Sequence, residues 1–169
     1  MHLKPYLLEW ELWKKYGWGR AYQVALKGRP KEHKNRGSLT YGETPRAVME
    51  KIKCWSQISS EDLFLELGSG TGQFALWLAI STQCEAVGID VVAPFIHNAN
   101  AIAKKLSISA QFFVADVFDY SWSDADLIYL TATCFSDDQM ARIVHKVDEL
   151  KEGAKLVVLT HQIKLEELE

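Results

Sequence analysis

The chain has 169 residues, of which 48% are apolar and 24% are charged, and its formal net charge is −3. This length fits one domain, or one domain with an appendage, and the composition excludes wholesale disorder. The longest strictly apolar runs, such as residues 75–80, are too short to cross a bilayer, and the N-terminus lacks the apolar core of a signal peptide. We therefore expect a cytoplasmic protein without a membrane segment.

The first forty residues differ in charge from the rest. They hold nine Lys and Arg residues against three acidic residues, whereas residues 41–169 carry a net charge of −9. The asymmetry predicts a basic, aromatic N-terminal arm over residues 1–40 and a domain over residues 41–169. The arm would dock on that acidic domain or contact nucleic acid. Within it, residues 5–16 predict a helix that Gly17 ends, and residues 17–37 predict a loop.

Helices and strands alternate from Thr44 onward. Thr44 is a predicted N-cap, with Pro45 at the first helical position. Strands are predicted at residues 63–67, 86–90, 111–115, 125–130 and 155–160, and helices at residues 72–82, 95–106 and 136–150, the last capped by Ser136. This alternation predicts right-handed crossovers and therefore an α/β fold, a Rossmann-like, doubly wound and mostly parallel sheet.

A glycine-rich loop follows the first predicted strand and opens a helix. Residues 66–73 read Glu-Leu-Gly-Ser-Gly-Thr-Gly-Gln, and such glycines let backbone N–H groups approach a ligand at a helix N-terminus. The dinucleotide fingerprint Gly-x-Gly-x-x-Gly would need glycine in place of Gln73, and the Gly-Lys-Ser/Thr ending of a phosphate loop is absent. The pattern Gly-x-Gly-x-Gly preceded by an acid resembles motif I of class I methyltransferases, which bind S-adenosylmethionine.

Acidic residues occupy positions that such a fold would use for this cofactor. Asp90 ends the second predicted strand, where a carboxylate can accept hydrogen bonds from both ribose hydroxyls. Asp116 ends the third strand and either meets the adenine amino group, with Val117 or Phe118 against the ring, or caps a loop. Glu66 either meets the amino end of the ligand or bonds the backbone of the loop. No metal site is predicted, because the three cysteines form no Cys-x-x-Cys pair.

A second motif carries a closer resemblance. Residues 39–44 read Leu-Thr-Tyr-Gly-Glu-Thr and stand one helix upstream of the motif at residues 62–73. Together they resemble the disruptor-of-telomeric-silencing family of non-SET histone-lysine methyltransferases, over roughly residues 39–160. The resemblance implies a seven-strand methyltransferase fold with its cofactor held by Tyr41, Glu43 and Thr44 at the methionine end, Gly68, Gly70, Gly72 and Gln73 around the amino-acid and ribose portions, Asp90 at the ribose, and Asp116 and Val117 beside the adenine.

The sequence also departs from that family. The family's Asn-Asn-Phe-Ala-Phe segment after the fourth strand is replaced by Leu-Thr-Ala-Thr-Cys-Phe at residues 130–135, where only Phe135 matches. The Asn/Asp-Pro-Pro-Tyr motif used for exocyclic base amines is absent. Too few residues follow the fifth strand to supply a sixth and a seventh, so we expect the sheet to lack the last two strands. Dimerisation or the N-terminal arm could cover the edge that this exposes.

These features predict an S-adenosylmethionine-dependent methyltransferase that acts on a protein lysine, with Tyr41 and Thr131 as the candidate catalytic residues. The expected partner is a protein substrate, with nucleic acid as a further partner of residues 1–40. One alternative is a small-molecule or RNA methyltransferase whose basic arm holds an anionic substrate. Another is a degenerate domain that binds the cofactor without activity.

Overall fold

The computed structural model describes residues 3–30, 42–133 and 135–159. The helices and strands are α1 (Lys4–Gly28), α2 (Arg46–Ser56), β1 (Leu63–Leu67), α3 (Gln73–Thr82), β2 (Glu85–Asp90), α4 (Ala93–Leu106), β3 (Ala110–Val114), β4 (Leu127–Thr131), α5 (Asp137–Val147) and β5 (Lys155–Leu159). None of the helices in these three ranges combines the length and the apolar character needed to cross a membrane.

The strands form one parallel sheet in the order β3-β2-β1-β4-β5. The chain winds outward from β1 through β2 to β3 and then returns to the other side of β1 to form β4. The winding direction therefore reverses between β1 and β4, and loops that diverge at such a point open a crevice at the carboxyl ends of the strands. This confirms the predicted α/β, doubly wound, parallel sheet.

Apolar side chains cover both faces of the sheet. On one face Phe64 and Tyr129 pack with Phe74 of α3, and on the other Trp122 and Ile128 pack with Ile143 of α5. Residues 74–79 of α3 are all buried, since this helix touches the sheet as well as α1, α2 and α4. A helix buried on every side is apolar all round, which explains the run of apolar residues at positions 74–80.

The helix α1 runs beyond the boundary that the sequence predicts. Gly17, Trp18 and Gly19 have non-helical dihedral angles, so the chain kinks there, but helical structure resumes and continues to Gly28. The prediction of a loop over residues 17–37 is therefore wrong for residues 20–28, while residues 31–37 lie outside the described ranges. The second half of α1 is helical because Ala21 and Ala25, four residues apart, pack against the start of α4.

The helix α1 packs mainly on α4 and α3, rather than on the edge strand β5. Leu8 is fully buried in the same apolar cluster as α3 and the sheet. The described part of the arm therefore packs on its own domain, which is one of the two contacts expected for it from the sequence.

The two predicted helix caps have different outcomes. Ser136 caps α5 in a capping box with Gln139, as predicted, although the helix ends at Val147. The cap predicted at Thr44 is wrong, because α2 begins at Arg46 with Pro45 as its N-cap and without a side-chain cap. The Thr44 hydroxyl instead hydrogen-bonds the hydroxyl of the buried Tyr129 at 2.7 Å, and a buried hydroxyl needs such a partner.

Candidate functional site

A cavity lies at the carboxyl ends of β1, β2 and β4, at the point where the winding reverses. Loops that follow β1, β2, β3 and β4 all line it. The predicted site residues that line it are Glu43, Thr44, Glu66, Gly68, Gly70, Gln73, Asp90, Asp116, Val117 and Thr131. Gly72 does not line it, and Tyr41 lies outside the described residues. Nearly all the site residues that the sequence predicts therefore line one cavity.

The glycine loop has the conformation that its sequence demands. Gly68, Gly70 and Gly72 all have positive φ, at 74°, 51° and 75°, a region that side chains rarely adopt. At Gly72 a Cβ atom would also meet the Phe112 ring at 2.8 Å. Gly72 thus serves the packing of the loop on the sheet, while the glycines before it bring backbone to the cavity wall.

Asp90 ties the glycine loop to the end of β2. One carboxylate oxygen accepts a hydrogen bond from the Gly70 N–H at 2.8 Å, and the other accepts one from the Val92 N–H at 2.8 Å. Burial raises the pKa of the Asp90 carboxyl, and these N–H donors oppose part of that rise. Since each carboxylate oxygen can accept a second hydrogen bond, Asp90 can also receive hydroxyls of a ligand in the cavity that it lines.

Glu66 is buried, with 6% of its surface exposed, at the end of β1. Its carboxylate accepts the N–H of Ala75 at 3.0 Å. Glu66 therefore bonds backbone, as one of the two alternatives expected, but the donor lies in the first turn of α3 and not in the glycine loop. Burial raises the pKa of Glu66 to about 8; the Ala75 hydrogen bond opposes this rise and the negative charge of Asp90 adds to it. A cation that enters the cavity beside Glu66 would favour its ionised form.

The remaining candidates surround the other parts of the cavity. Asp116 accepts the Phe118 N–H at 3.1 Å, so its loop-capping role is present while it lines the cavity with Val117. Thr131 lies at the end of β4, where Thr133 and Phe135 also line the cavity. Among the described residues, no three His, Cys, Asp or Glu side chains form a group that could hold a metal ion.

Sequence reasoning missed the contribution of α1 and of the residue after it. Ala25 and Arg29 line the same cavity. A second cavity adjoins it, lined by Leu12, Trp13 and Tyr16 of α1 and by Glu43 and Gln73, which also line the first cavity. The small residues Ala21 and Ala25, four positions apart, could have indicated that a helix packs closely on the domain here. Gly17 and Gly19, which precede them, indicated a loop instead.

The lining of the main cavity fits S-adenosylmethionine. The glycine loop brings backbone at Gly68, Ser69 and Gly70 to the cavity wall, where it can bind a polar ligand. Asp90 supplies a carboxylate for hydroxyls, and Val92, Phe95 and Val117 supply apolar surface for a flat ring. Polar groups that fix orientation within a mostly apolar cleft are typical of cofactor sites.

Comparison with known proteins agrees with this assignment. The family model described as a methyltransferase domain matches residues 64–152. The histone-lysine N-methyltransferase, H3 lysine-79 specific, of Yarrowia lipolytica is 24% identical over 148 residues, which covers 76% of this chain and 29% of that protein. An uncharacterized protein of Methanocaldococcus jannaschii is 27% identical over 118 residues, covering 63% of this chain and 52% of the other. The chain thus spans between about a third and about half of the length of these relatives.

Solved structures share the fold. An RNA methyltransferase from Salinibacter ruber, in complex with S-adenosylhomocysteine, has a TM-score of 0.62 and 21% identity over 69% of this chain and 76% of that chain. A geranyl diphosphate C-methyltransferase from Streptomyces coelicolor, also with S-adenosylhomocysteine, has a TM-score of 0.59 and 17% identity over 66% of this chain and 42% of that chain. The chain belongs to the methyltransferase domain family, and its cofactor is S-adenosylmethionine.

Proposed function

We propose that this protein transfers a methyl group from S-adenosylmethionine to the side-chain amine of a protein lysine. The observation that carries the proposal is the lining of the cavity at the end of β4, where hydroxyls and aromatic rings meet: Thr131, Thr133, Phe118 and Phe135. The rings of Phe118 and Phe135 lie 5.9 Å apart, which suits the alkyl stem of a lysine. The similarity to a histone-lysine methyltransferase supports the same acceptor.

S-adenosylmethionine supplies an activated methyl group when bound. The task of the chain is to align the acceptor and to keep its amine neutral, since only a free lone pair can attack. The Arg142 guanidinium lies 3.8 Å from the centre of the Phe118 ring, and a positive charge there lowers the pKa of a nearby amine. In this proposal the Thr131 hydroxyl accepts an N–H of the amine and fixes its orientation, and Tyr41 remains a candidate for the same task.

The cofactor contacts belong to the same proposal. Asp90 would hold the ribose hydroxyls, and Glu66 would meet the ammonium group of the methionine portion. Asp116 and Val117 would flank the adenine. The backbone of the loop at Gly68, Gly70 and Gln73, together with Glu43, Thr44 and Tyr41, would surround the rest of the methionine portion.

A methyl-transfer assay tests the acceptor. The protein would be incubated with S-adenosylmethionine carrying a labelled methyl group and, in parallel, with histones, ribosomal proteins and total RNA. We expect label in protein, on lysine after hydrolysis to amino acids, and a reduced rate for Thr131→Val, which keeps the volume of the side chain but removes its hydroxyl. Label that enters RNA alone would contradict a lysine acceptor.

RNA is the second candidate because of the outer face of α1. The rings of Trp10 and Trp13 are stacked, with centroids 5.3 Å apart, and both are exposed. The Lys14 ammonium lies 5.7 Å from the centre of the Trp10 ring. Exposed aromatic rings next to cations are a common means of binding single-stranded RNA. RNA methylation that falls in Trp10→Ala, but not in Leu7→Ala on the same helix, would favour this candidate.

A further inference from the structure

Large apolar side chains form an exposed stripe along the first half of α1. They recur every three or four residues and therefore lie on one side of the helix. Between 38% and 72% of each is exposed, and together we call them the outer stripe: Leu3, Tyr6, Leu7, Trp10 and Trp13. The other side of the same helix carries the buried Leu8 and Glu11. Soluble proteins rarely expose such side chains next to one another, and a patch of this kind commonly binds another molecule.

The charges of α1 give the surface around the outer stripe a positive sign. Residues 3–28 hold five Lys and Arg residues against two acids. The Glu9 carboxylate pairs with Arg46 of α2 at 2.9 Å, and the Glu11 carboxylate pairs with Lys105 of α4 at 2.9 Å. Lys14 of α1 also pairs with Glu11. Cations therefore neutralise both acids of the helix, and a partner of negative charge is the one that complements this surface.

The composition of the outer stripe favours a lipid surface among the anionic partners. Trp and Tyr are enriched where a membrane meets water, because one end of each ring system is apolar and the other is polar. Leu3 and Leu7 add aliphatic surface, which acyl chains can receive but on which a nucleic-acid base cannot stack. Trp10 and Trp13 stack on each other, with centroids 5.3 Å apart, so these two ring faces are closed to a base. A second copy of the chain would bring two surfaces of the same charge together.

We propose that the outer stripe of α1 binds the surface of an anionic membrane, with the helix lying in the plane of the lipid headgroups. None of the helices in the described ranges could cross a membrane, but a helix with an apolar side and neighbouring cations can lie on one. The rings enter the boundary between headgroups and acyl chains, and the lysines meet the lipid phosphates. This role is independent of which acceptor receives the methyl group.

Sedimentation with sucrose-loaded vesicles tests the proposal on the full-length chain. We expect binding to vesicles that contain phosphatidylglycerol, and roughly tenfold weaker binding to vesicles of phosphatidylcholine alone, because these carry no net charge. Trp10→Ala should weaken binding to the anionic vesicles about tenfold and Leu7→Ala about threefold, since each removes apolar surface from the lipid. Trp55→Ala is the matched control, because Trp55 is 61% exposed but lies on α2. All three side chains are exposed, so the unfolding midpoints of the variants should match that of the wild type.

Several results would overturn the proposal. One is no binding to the anionic vesicles, and another is a loss in Trp55→Ala as large as that in Trp10→Ala. Binding of polyuridylate in place of vesicles, weakened by Trp10→Ala but not by Leu7→Ala, would assign the outer stripe to RNA. A dimer in sedimentation velocity that Trp10→Ala dissociates, again without vesicle binding, would assign it to a second copy of the chain.

Discussion

The Asp90 carboxylate has two roles. It accepts hydrogen bonds from the N–H groups of Gly70 and Val92, and it lines the cofactor cavity. In Asp90→Asn one oxygen becomes an NH₂ group that faces a backbone donor. We expect the affinity for S-adenosylhomocysteine to fall at least tenfold and stability to drop by about 1–2 kcal/mol. Calorimetry and denaturant unfolding measure the two effects.

The control for that variant is Asp119→Asn, on an exposed residue that does not line the cavity. It removes one negative charge without touching the glycine loop, so it corrects for the change in net charge. An affinity of Asp90→Asn within twofold of the control would contradict a ribose contact at Asp90.

Glu66 should make stability depend on pH. Its pKa is about 8 in the folded protein against an ordinary 4.5. Between these two values the folded state retains a proton that the unfolded state has lost. The free energy of unfolding therefore falls as pH rises from about 4.5 to about 8, and the contribution is constant outside that window.

The variant Glu66→Gln removes this titration and keeps an oxygen for the Ala75 N–H. Denaturant unfolding at a series of pH values would measure the free energy of unfolding of both proteins. The value for the wild type minus the value for the variant should fall as pH rises from about 4.5 to about 8. Parallel curves for the two proteins would show that Glu66 has an ordinary pKa.

At the scale of secondary structure elements, the kink in α1 depends on Gly19. Its φ is +72°, and no atom lies within 4 Å of the position that a Cβ would occupy. The cost of Gly19→Ala is then one of backbone conformation, about 1–2 kcal/mol. Gly42→Ala is the matched control, because that position also has open space but no positive φ. If Gly19→Ala and Gly42→Ala were equally stable in denaturant unfolding, an alanine side chain would not strain the backbone at the kink.

The two helix starts illustrate what local sequence can and cannot predict. A hydroxyl residue precedes each of the helices α2 and α5. Ser136 caps α5 because Gln139, three residues on, completes the box, and both residues are visible in the sequence. Thr44 does not cap α2, because its hydroxyl is bound to Tyr129, 85 residues further along the chain. No local pattern contains that contact.

At the scale of the whole molecule, α1 contributes to the core. Leu8 is fully buried, whereas its neighbour Leu7 is 38% exposed. We expect Leu8→Ala to lower the free energy of unfolding by about 2–5 kcal/mol through the cavity that it leaves. Leu7→Ala, the same substitution one position away, should change it by less than about 0.5 kcal/mol. If both variants were near neutral, α1 would be an appendage that does not stabilise the domain.

Some features of the whole molecule could be predicted from the sequence and others could not. The alternation of strands and helices predicted the parallel sheet, and the residues that follow its strands predicted part of the cavity lining, because the carboxyl ends of parallel strands meet at one edge. Ala25 and Arg29 were missed, since they reach the cavity through the packing of α1, and that packing depends on contacts between distant parts of the chain. Tyr41 stays a prediction, as it lies outside the described residues.

The position of β1 in the sheet has a consequence for how the protein is made. This strand is hydrogen-bonded to β2 on one side and to β4 on the other, and about sixty residues separate its end at Leu67 from the start of β4 at Leu127. At a ribosomal rate of about 5–20 residues per second, β4 emerges roughly 3–12 seconds after β1. During that interval the apolar central strand offers one open edge, so the nascent chain is exposed to mispairing and suited to capture by a chaperone.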